Sequence, residues 1–364
     1  MGRERLARYS LVGPEAERSR EAGLADGEWF RSPLPRKRMK ELMTRSDHPA
    51  IRDTVIWLGG MVICGVLGII LWGTWLAVPF LLAYGLLYGT AAMARWHECA
   101  HGTPFRTRWM NNIVYKLASF MMMVDPTVYR WSHTRHHTDT LILGLDPEIE
   151  VMRPARLARL LANFFGLVSV PMALRGMALH AVGRLTAEER LLIPEPEQSK
   201  VFRTARVWLT VYVAATVSSL LTASVLPVLL VGGPRLYGAY LAQLYDLTQH
   251  SGMGENVLDH RLNTRTIYMN RINRFLYWNM NYHVEHHIFP MVPYHRLPEL
   301  HAEIRQDLAL PYSSLWAAYR EIVPAVLRQL KDQTYYIYRE LPPGAAPYYL
   351  PSDDRALPSA RSSD

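Results

Sequence analysis

Three blocks of histidine carry most of the chemistry legible in this sequence. The stretch Asn279-Met280-Asn281-Tyr282-His283-Val284-Glu285-His286-His287 places imidazoles at i, i+3 and i+4, and His133-Thr134-Arg135-His136-His137 repeats that spacing. Ahead of both comes His97-Glu98-Cys99-Ala100-His101, a pair at i and i+4. On a helix such spacings project the rings from one face, where they can close on a common point. With His250 upstream of the third block, nine of the fourteen histidines lie in or beside these blocks. A lone histidine is usually a satisfied core or surface residue, but two HxxHH blocks and an HxxxH pair in one chain mark a metal site. His48, His180, His260, His295 and His301 fall outside the blocks and are expected to be bystanders.

Eight or nine neutral imidazoles exceed what one ion accepts, since structural zinc takes about four ligands and catalytic zinc about three. Imidazole suits zinc, copper, iron and nickel alike, so the count decides. It fits two ions, each with several histidines and open positions for O2 or water. Two irons can deliver the paired electrons that O2 activation requires, which redox-inert zinc cannot. Asp146, Glu148, Asp246, Asn279 and Asn281 are candidates for the surrounding groups that orient rings or hold a water. Two other readings compete. His97-Glu98-Cys99-Ala100-His101 is formally HExxH, the zinc protease pattern with Glu98 as general base, but that reading leaves both HxxHH blocks unemployed. A metal transporter would line a path across the bilayer, whereas these histidines fall at helix ends on one side.

The elements that must position these blocks are apolar. Thr54 to Ala94 contains no Asp, Glu, Lys or Arg, and neither does Val207 to Pro234, which continues after Arg235 into Leu236–Tyr245. A span needs about 20 apolar residues. The reading is therefore an all-α integral membrane protein with four transmembrane helices in two hairpins, about 54–73, 75–95, 207–231 and 235–250. A buried soluble bundle would carry charge on one face of each helix, and here there is none. On the last span Gln243, Asp246 and His250 form one polar stripe, and polar groups at membrane depth face an interior site by default. Met110–Met123 and Arg156–Arg184 mix charge with apolar residues and read as helices along the membrane surface. The rest forms a cytoplasmic helical cap carrying the blocks. Residues 24–341 make one domain. Residues 1–23 and 342–364 are expected to lack a fixed fold, being charged or rich in Pro, Ser and Ala.

The net charge of +8 gathers ahead of the first span, from Arg3 to Arg52, while the far-side turns hold only Arg235. Positive residues stay inside, so both termini and all blocks should face the cytoplasm. The partner of Arg36–Lys40 is then anionic lipid, not nucleic acid. Cys64 and Cys99 suggest no disulfide, in keeping with a reducing face, and no cleavable leader is visible.

The order HxxxH, HxxHH, HxxHH, with paired spans between the first and third blocks, resembles the integral-membrane fatty acid desaturase and hydroxylase family over roughly Trp29 to His301. The resemblance implies that His97, His101, His133, His136, His137, His283, His286 and His287 hold two iron ions, with His250 as the family's extra histidine. From Gln249-His250-Ser251-Gly252 to Pro290 the chain is similar to a bacterial branch served by separate, often Rieske-type, ferredoxins with their reductase. That branch acts on acyl lipids and on small aliphatic molecules. The chain shows no His-Pro-Gly-Gly cytochrome b5 signature, so the electrons are expected from another protein, with Arg31, Arg36, Lys37, Arg38 and Lys40 as a possible basic dock. The expected activity is O2-dependent hydrogen abstraction from an unactivated C–H bond, ending in a double bond or, alternatively, an alcohol. The expected location is the bacterial inner membrane, with the active site on the cytoplasmic side.

Overall fold

The computed structural model describes residues 7–343. Among these the chain is mostly helical, with no strand beyond the isolated bridges Thr266–Tyr282 and Ile267–Tyr312. Three helical stretches are long and apolar enough to cross a membrane: Arg36–Ile70, Ala77–His101 and Glu195–Leu221. We call their regular parts α1 (Asp47–Ile70) and α2 (Ala77–His101). The next helices are α3 (Arg108–Met122), α4 (Pro126–Asp139), α5 (Ser169–Ala181) and α6 (Glu195–Leu221).

The first hairpin follows from its side chains. Val55, Ile56, Val62, Ile63, Val66 and Ile70 on α1 are exposed, as apolar groups are when their natural solvent is lipid. The opposite face packs on α2 through small residues. A Cβ added at Gly68 would stand 2.7 Å from Leu81 Cδ2, so glycine sets how closely these helices approach. Within α2, residues Leu87–Ala91 form a π-helical turn. There the Thr90 hydroxyl donates to Gly238 O at 2.7 Å, tying α2 to the chain segment that ends at His250.

The fourth expected span, 235–250, is not one continuous helix. Helix Pro234–Tyr237 is followed by α7 (Tyr240–His250), which has 11 residues. At about 1.5 Å per residue α7 is roughly 16 Å long, half of the ~30 Å hydrocarbon layer. The break contains a glycine that the packing requires. The backbone of Gly238 lies so close to α2 that a Cβ there would stand 1.9 Å from Gly85 O. The preceding segment also folds into the bundle, with Tyr84 and Tyr237 hydroxyls donating to Leu230 O and Leu229 O at 2.8 Å each.

The remaining helices gather at one end of the spans: α8 (His283–Ile288), α9 (Leu297–Ile304) and α10 (Leu315–Arg328). One buried cluster runs from Trp57, Tyr88 and Met93 of the hairpin to Tyr277, Trp278, Leu297 and Leu300 of this end. The expectation that residues 1–23 lack a fixed fold needs correcting. Residues 1–6 lie outside the described residues, but Pro14–Glu21 is helical and Tyr9, Leu11 and Ala16 are buried. Glu17, Arg18, Arg20 and Glu21 of this helix are exposed, while Ala16 joins Ile142 and Leu145, and Ser19 Oγ donates to Leu143 O at 2.7 Å. The 342–364 tail falls outside the described residues beyond 343.

Candidate metal centre

Each histidine block sits on an element fixed by local chemistry. His97 and His101 occupy the last turns of α2. α4 starts at Pro126, with the Asp125 carboxylate accepting from Thr127 N and Val128 N, which caps the helix that holds the second block. The third block lies on α8, entered through Trp278 and Asn279 at φ 45° and 56°. Asn279 holds that tight turn: its Oδ1 accepts from Arg274 Nε at 2.9 Å and its Nδ2 donates to Tyr294 O at 3.0 Å.

The blocks converge on two clusters. His97, His101, His133, His137 and His286 bring one ring nitrogen each to within 4.8 Å of one another, and His136, His250 and His287 do the same. His283 completes the second neighbourhood, its Nε2 lying 3.2 Å from His287 Nε2. Eight of the nine expected histidines thus lie in the two clusters and the ninth borders one.

The distances inside the larger cluster say what it suits. His133 Nε2 stands 3.2 Å from His97 Nε2, 3.1 Å from His101 Nε2 and 3.1 Å from His137 Nε2, and His97 Nε2 stands 2.9 Å from His286 Nε2. One imidazole nitrogen carries a single proton or a single lone pair, so three such contacts cannot all be hydrogen bonds. Lone pairs aimed at a shared cation account for them. Two nitrogens about 2.1 Å from an ion lie roughly 3.0 Å apart at right angles and roughly 3.4 Å apart at a tetrahedral angle. The observed spacings suit ring nitrogens gathered on one shared cation. Burial, and after it the neighbouring rings, hold His133, His137, His286 and His287 well below the usual histidine pKa, so these rings are neutral ligands at pH 7.

Groups behind the rings fix their orientation. His133 Nδ1 donates to Glu148 at 2.8 Å and His136 Nδ1 to Asp146 at 2.9 Å. Burial works against charge on His136, but Asp146 outweighs it and pushes the ring up to about 9. His250 Nδ1 donates to Asn263 O at 2.9 Å. Thr140, whose hydroxyl donates to His136 O, accepts from His287 Nδ1 at 3.1 Å. The Tyr129 hydroxyl lies 3.3 Å from His97 Nδ1. Every one of these contacts leaves Nε2 to point into a cluster.

Of the five expected supporting residues, Asp146 and Glu148 back rings directly. Asp246 lines the adjoining cavity with His97, His133, His136 and His250. Asn279 and Asn281 do not touch the rings. Asn281 Nδ2 donates to Ile267 O at 2.8 Å, so both asparagines hold backbone that shapes the third block.

Glu98, a general base only in the protease reading set aside above, has another place in the structure. It is fully buried behind His286, with Oε1 3.3 Å from His286 Nδ1 and Oε2 accepting from Tyr294 N at 3.2 Å. That places it on the far side of a ring from the cluster, not where a protease base would stand. Two expected bystanders also need correcting. His301 is buried and its Nδ1 donates to Glu285, inside the third block, while Tyr268 OH lies 3.0 Å from its Nε2. His260 is buried 5.0 Å, ring to ring, from His287 and stacks on Trp29 at 4.3 Å. No local spacing links either residue to the blocks, so only the folded chain reveals them.

Comparison with known proteins adds one match. The family model described as fatty acid desaturase covers residues 73–319 of the 364, from the turn before α2 into α10, and so includes all nine histidines. No curated protein matches the chain.

Proposed function

The chain belongs to the fatty acid desaturase family, and we propose that it is a membrane oxidoreductase with two irons that removes hydrogen from an unactivated aliphatic C–H bond using O2. The observation that carries this reading is the pair of converging histidine clusters, one of five rings and one of three bordered by a fourth. His97, His101, His133, His137 and His286 would hold one iron, and His136, His250, His283 and His287 the other. The irons supply the one-electron steps that O2 reduction requires. The chain's own groups do the rest. Asp146 and Glu148 lock His136 and His133 in the tautomer that presents Nε2. The wall that includes Met93, Trp96, Val124 and Ile149 restricts water beside the rings. For desaturation, O2 leaves as two waters, taking two hydrogens from the substrate and two electrons from a donor, with two protons from solvent. Hydroxylation on the same scaffold retains one oxygen in the product and is the alternative outcome.

The electrons come from a separate ferredoxin-type protein. A cleft of about 580 Å³, lined by Trp29, Phe30, Arg31 and Arg130, reaches His101, His137 and His287 from the side opposite Asp246. Arg31, Arg36, Lys37 and Lys40 are exposed beside it and suit an acidic donor. Arg38 does not contribute, because Glu41, Glu299 and Glu303 already engage it. The basic residues gathered ahead of the first span support placing this end on the cytoplasmic side of a bacterial inner membrane, with α6 crossing away from the centre and residues 222–250 returning to it as short helices.

Elemental analysis of protein purified in mild detergent tests the centre, and mass spectrometry of lipids and polar metabolites from cells with and without the intact gene tests the reaction. The expected results are about two irons per chain and a product that differs from its precursor by two hydrogens or one oxygen. One tightly held zinc, with no capacity for iron, would sink the reading.

A further inference from the structure

The cavity beside the rings is less apolar than an alkyl chain would favour, and its polar groups are unevenly matched. It holds about 430 Å³ and is lined by His97, His133, His136 and His250 on one side and by Glu150, Gln243 and Asp246 on the other. It runs into a second cavity of about 570 Å³ that includes Leu160, Met172, Ala173 and Met177, and Val124, Ile149 and Glu150 line both.

The amide donors in the polar part are used within the wall, while Trp96 Nε1 and Arg235 Nε make no hydrogen bond. Asn163 Nδ2 donates to Gln243 Oε1 at 2.7 Å, Gln243 Nε2 to Glu150 Oε1 at 3.0 Å and Gln249 Nε2 to Tyr277 OH at 2.6 Å. Arg235, the guanidinium in this wall, is turned to Gly89 O and Met122 Sδ, while Arg156 and Arg159 line the second cavity. Acceptors are left over. Asp246 has no hydrogen bond among the described residues, and Glu150 uses one of its two oxygens. The metal-facing rings do not need these two carboxylates, since Asp146, Glu148 and Glu98 already stand behind His136, His133 and His286.

A hydrocarbon segment placed here would strip water from Asp246 and return no hydrogen bond, which is unfavourable for a carboxyl group whether charged or neutral. Building on the oxidoreductase reading above, we propose that the substrate is an aliphatic amine. Its ammonium donates to Asp246 and Glu150, its apolar part extends into the methionine-lined cavity, and the carbons near the nitrogen lie beside the rings. The reaction and its balance stay as given above. What changes is the class of molecule and the position attacked, close to the polar end and not deep in a chain.

The test uses the full-length protein in nanodiscs of zwitterionic lipid, with octylamine, octanol and octanoate as probes at equal concentrations. Thermal unfolding reports binding, and iron is measured on the same preparations. Octylamine should raise the melting temperature, and octanoate should not. Asp246→Asn and Glu150→Gln should each weaken octylamine binding by at least about tenfold, the scale of a lost charge-assisted hydrogen bond, with iron content unchanged. Equal stabilisation by octanol or octanoate would overturn the proposal. So would an Asp246→Asn protein that loses iron yet keeps its affinity for octylamine, because the carboxylate would then serve the metal. Wild-type protein free of iron but still selective for the amine would overturn the di-iron reading and leave the amine site standing.

Discussion

The two histidine clusters draw on the same helices in opposite ways. The second block gives its outer pair, His133 and His137, to the five-ring cluster and its middle residue, His136, to the smaller one. The third block does the reverse: His286 joins the five-ring cluster, while His287 and its i−4 neighbour His283 face the other. Helix geometry accounts for the split. Residues four apart differ by about 40° around the axis, whereas i+3 and i+4 differ by about 100°. An HxxHH block therefore presents a pair and a single ring to two points, not three rings to one. Two such blocks facing each other, pair against single, build two sites of similar nature without any change of motif. The inequality comes from the third contributor, since α2 adds two rings to one cluster and α7 adds only His250 to the other.

That inequality can be broken experimentally. The largest effect on metal content is expected for His250→Ala. It removes the only ring that α7 supplies, so after dialysis against a chelator the protein should keep about one of its two irons and lose turnover. Retention of both irons with an altered product pattern would make His250 a cavity residue instead of a ligand. His286→Ala leaves four rings in its cluster, so it should lose less iron than His250→Ala under the same challenge and still lose turnover, because the ring geometry is disturbed. Full activity in this variant would defeat the whole assignment. Asp146→Asn acts on His136 directly and, through the Leu141 and Glu148 amides that Asp146 also accepts, on the turn behind it; it should weaken the smaller site by about 10–100-fold, read by metal titration, and the five-ring site less. The smallest effect on the centre is expected for His301→Ala. It removes a partner of buried Glu285 and should cost about 1–3 kcal/mol in unfolding free energy, yet leave both irons in place. Iron loss from this variant would mean that Glu285 reaches the metal sites in a way its contacts with Thr266 and His301 do not suggest.

The sequence made the blocks and the positions of Asp146 and Glu148 behind them readable, because each depends on spacing within one helix or one turn. The expectation that one block closes on one point was too simple, since it treated a 100° step as if all three rings shared a direction. Glu98 was visible, but its own block suggested a protease base, and only the arrival of His286 from far along the chain shows what it touches. Hydropathy located α1, α2 and α6, whose exposed apolar faces depend on composition alone. It did not show that 235–250 would break, at a point where Gly238 lies against Gly85 from far along the chain. His260 and His301 escaped for the same reason, their neighbours being Trp29, Glu285 and Tyr268.

The π-helical turn at Leu87–Ala91 makes α2 sensitive to length in a way that its composition hides. A π turn accommodates one residue more than an α turn, and each residue advances a helix by about 100°. The two histidines at the end of α2 are therefore clocked by the turn, which sets their phase relative to the apolar face below. Most substitutions between Leu87 and Ala91 would leave that phase alone. Deleting one residue within the π turn would close the span into a regular helix with His97 and His101 kept nearly in phase, whereas deleting one residue of α2 outside it would leave the span as apolar as before and able to insert in the bilayer, but with His97 and His101 rotated by about 100° away from the other rings. The membrane half of the protein would then be intact and the centre out of register, a failure that neither hydropathy nor a search for the HxxxH pair would detect.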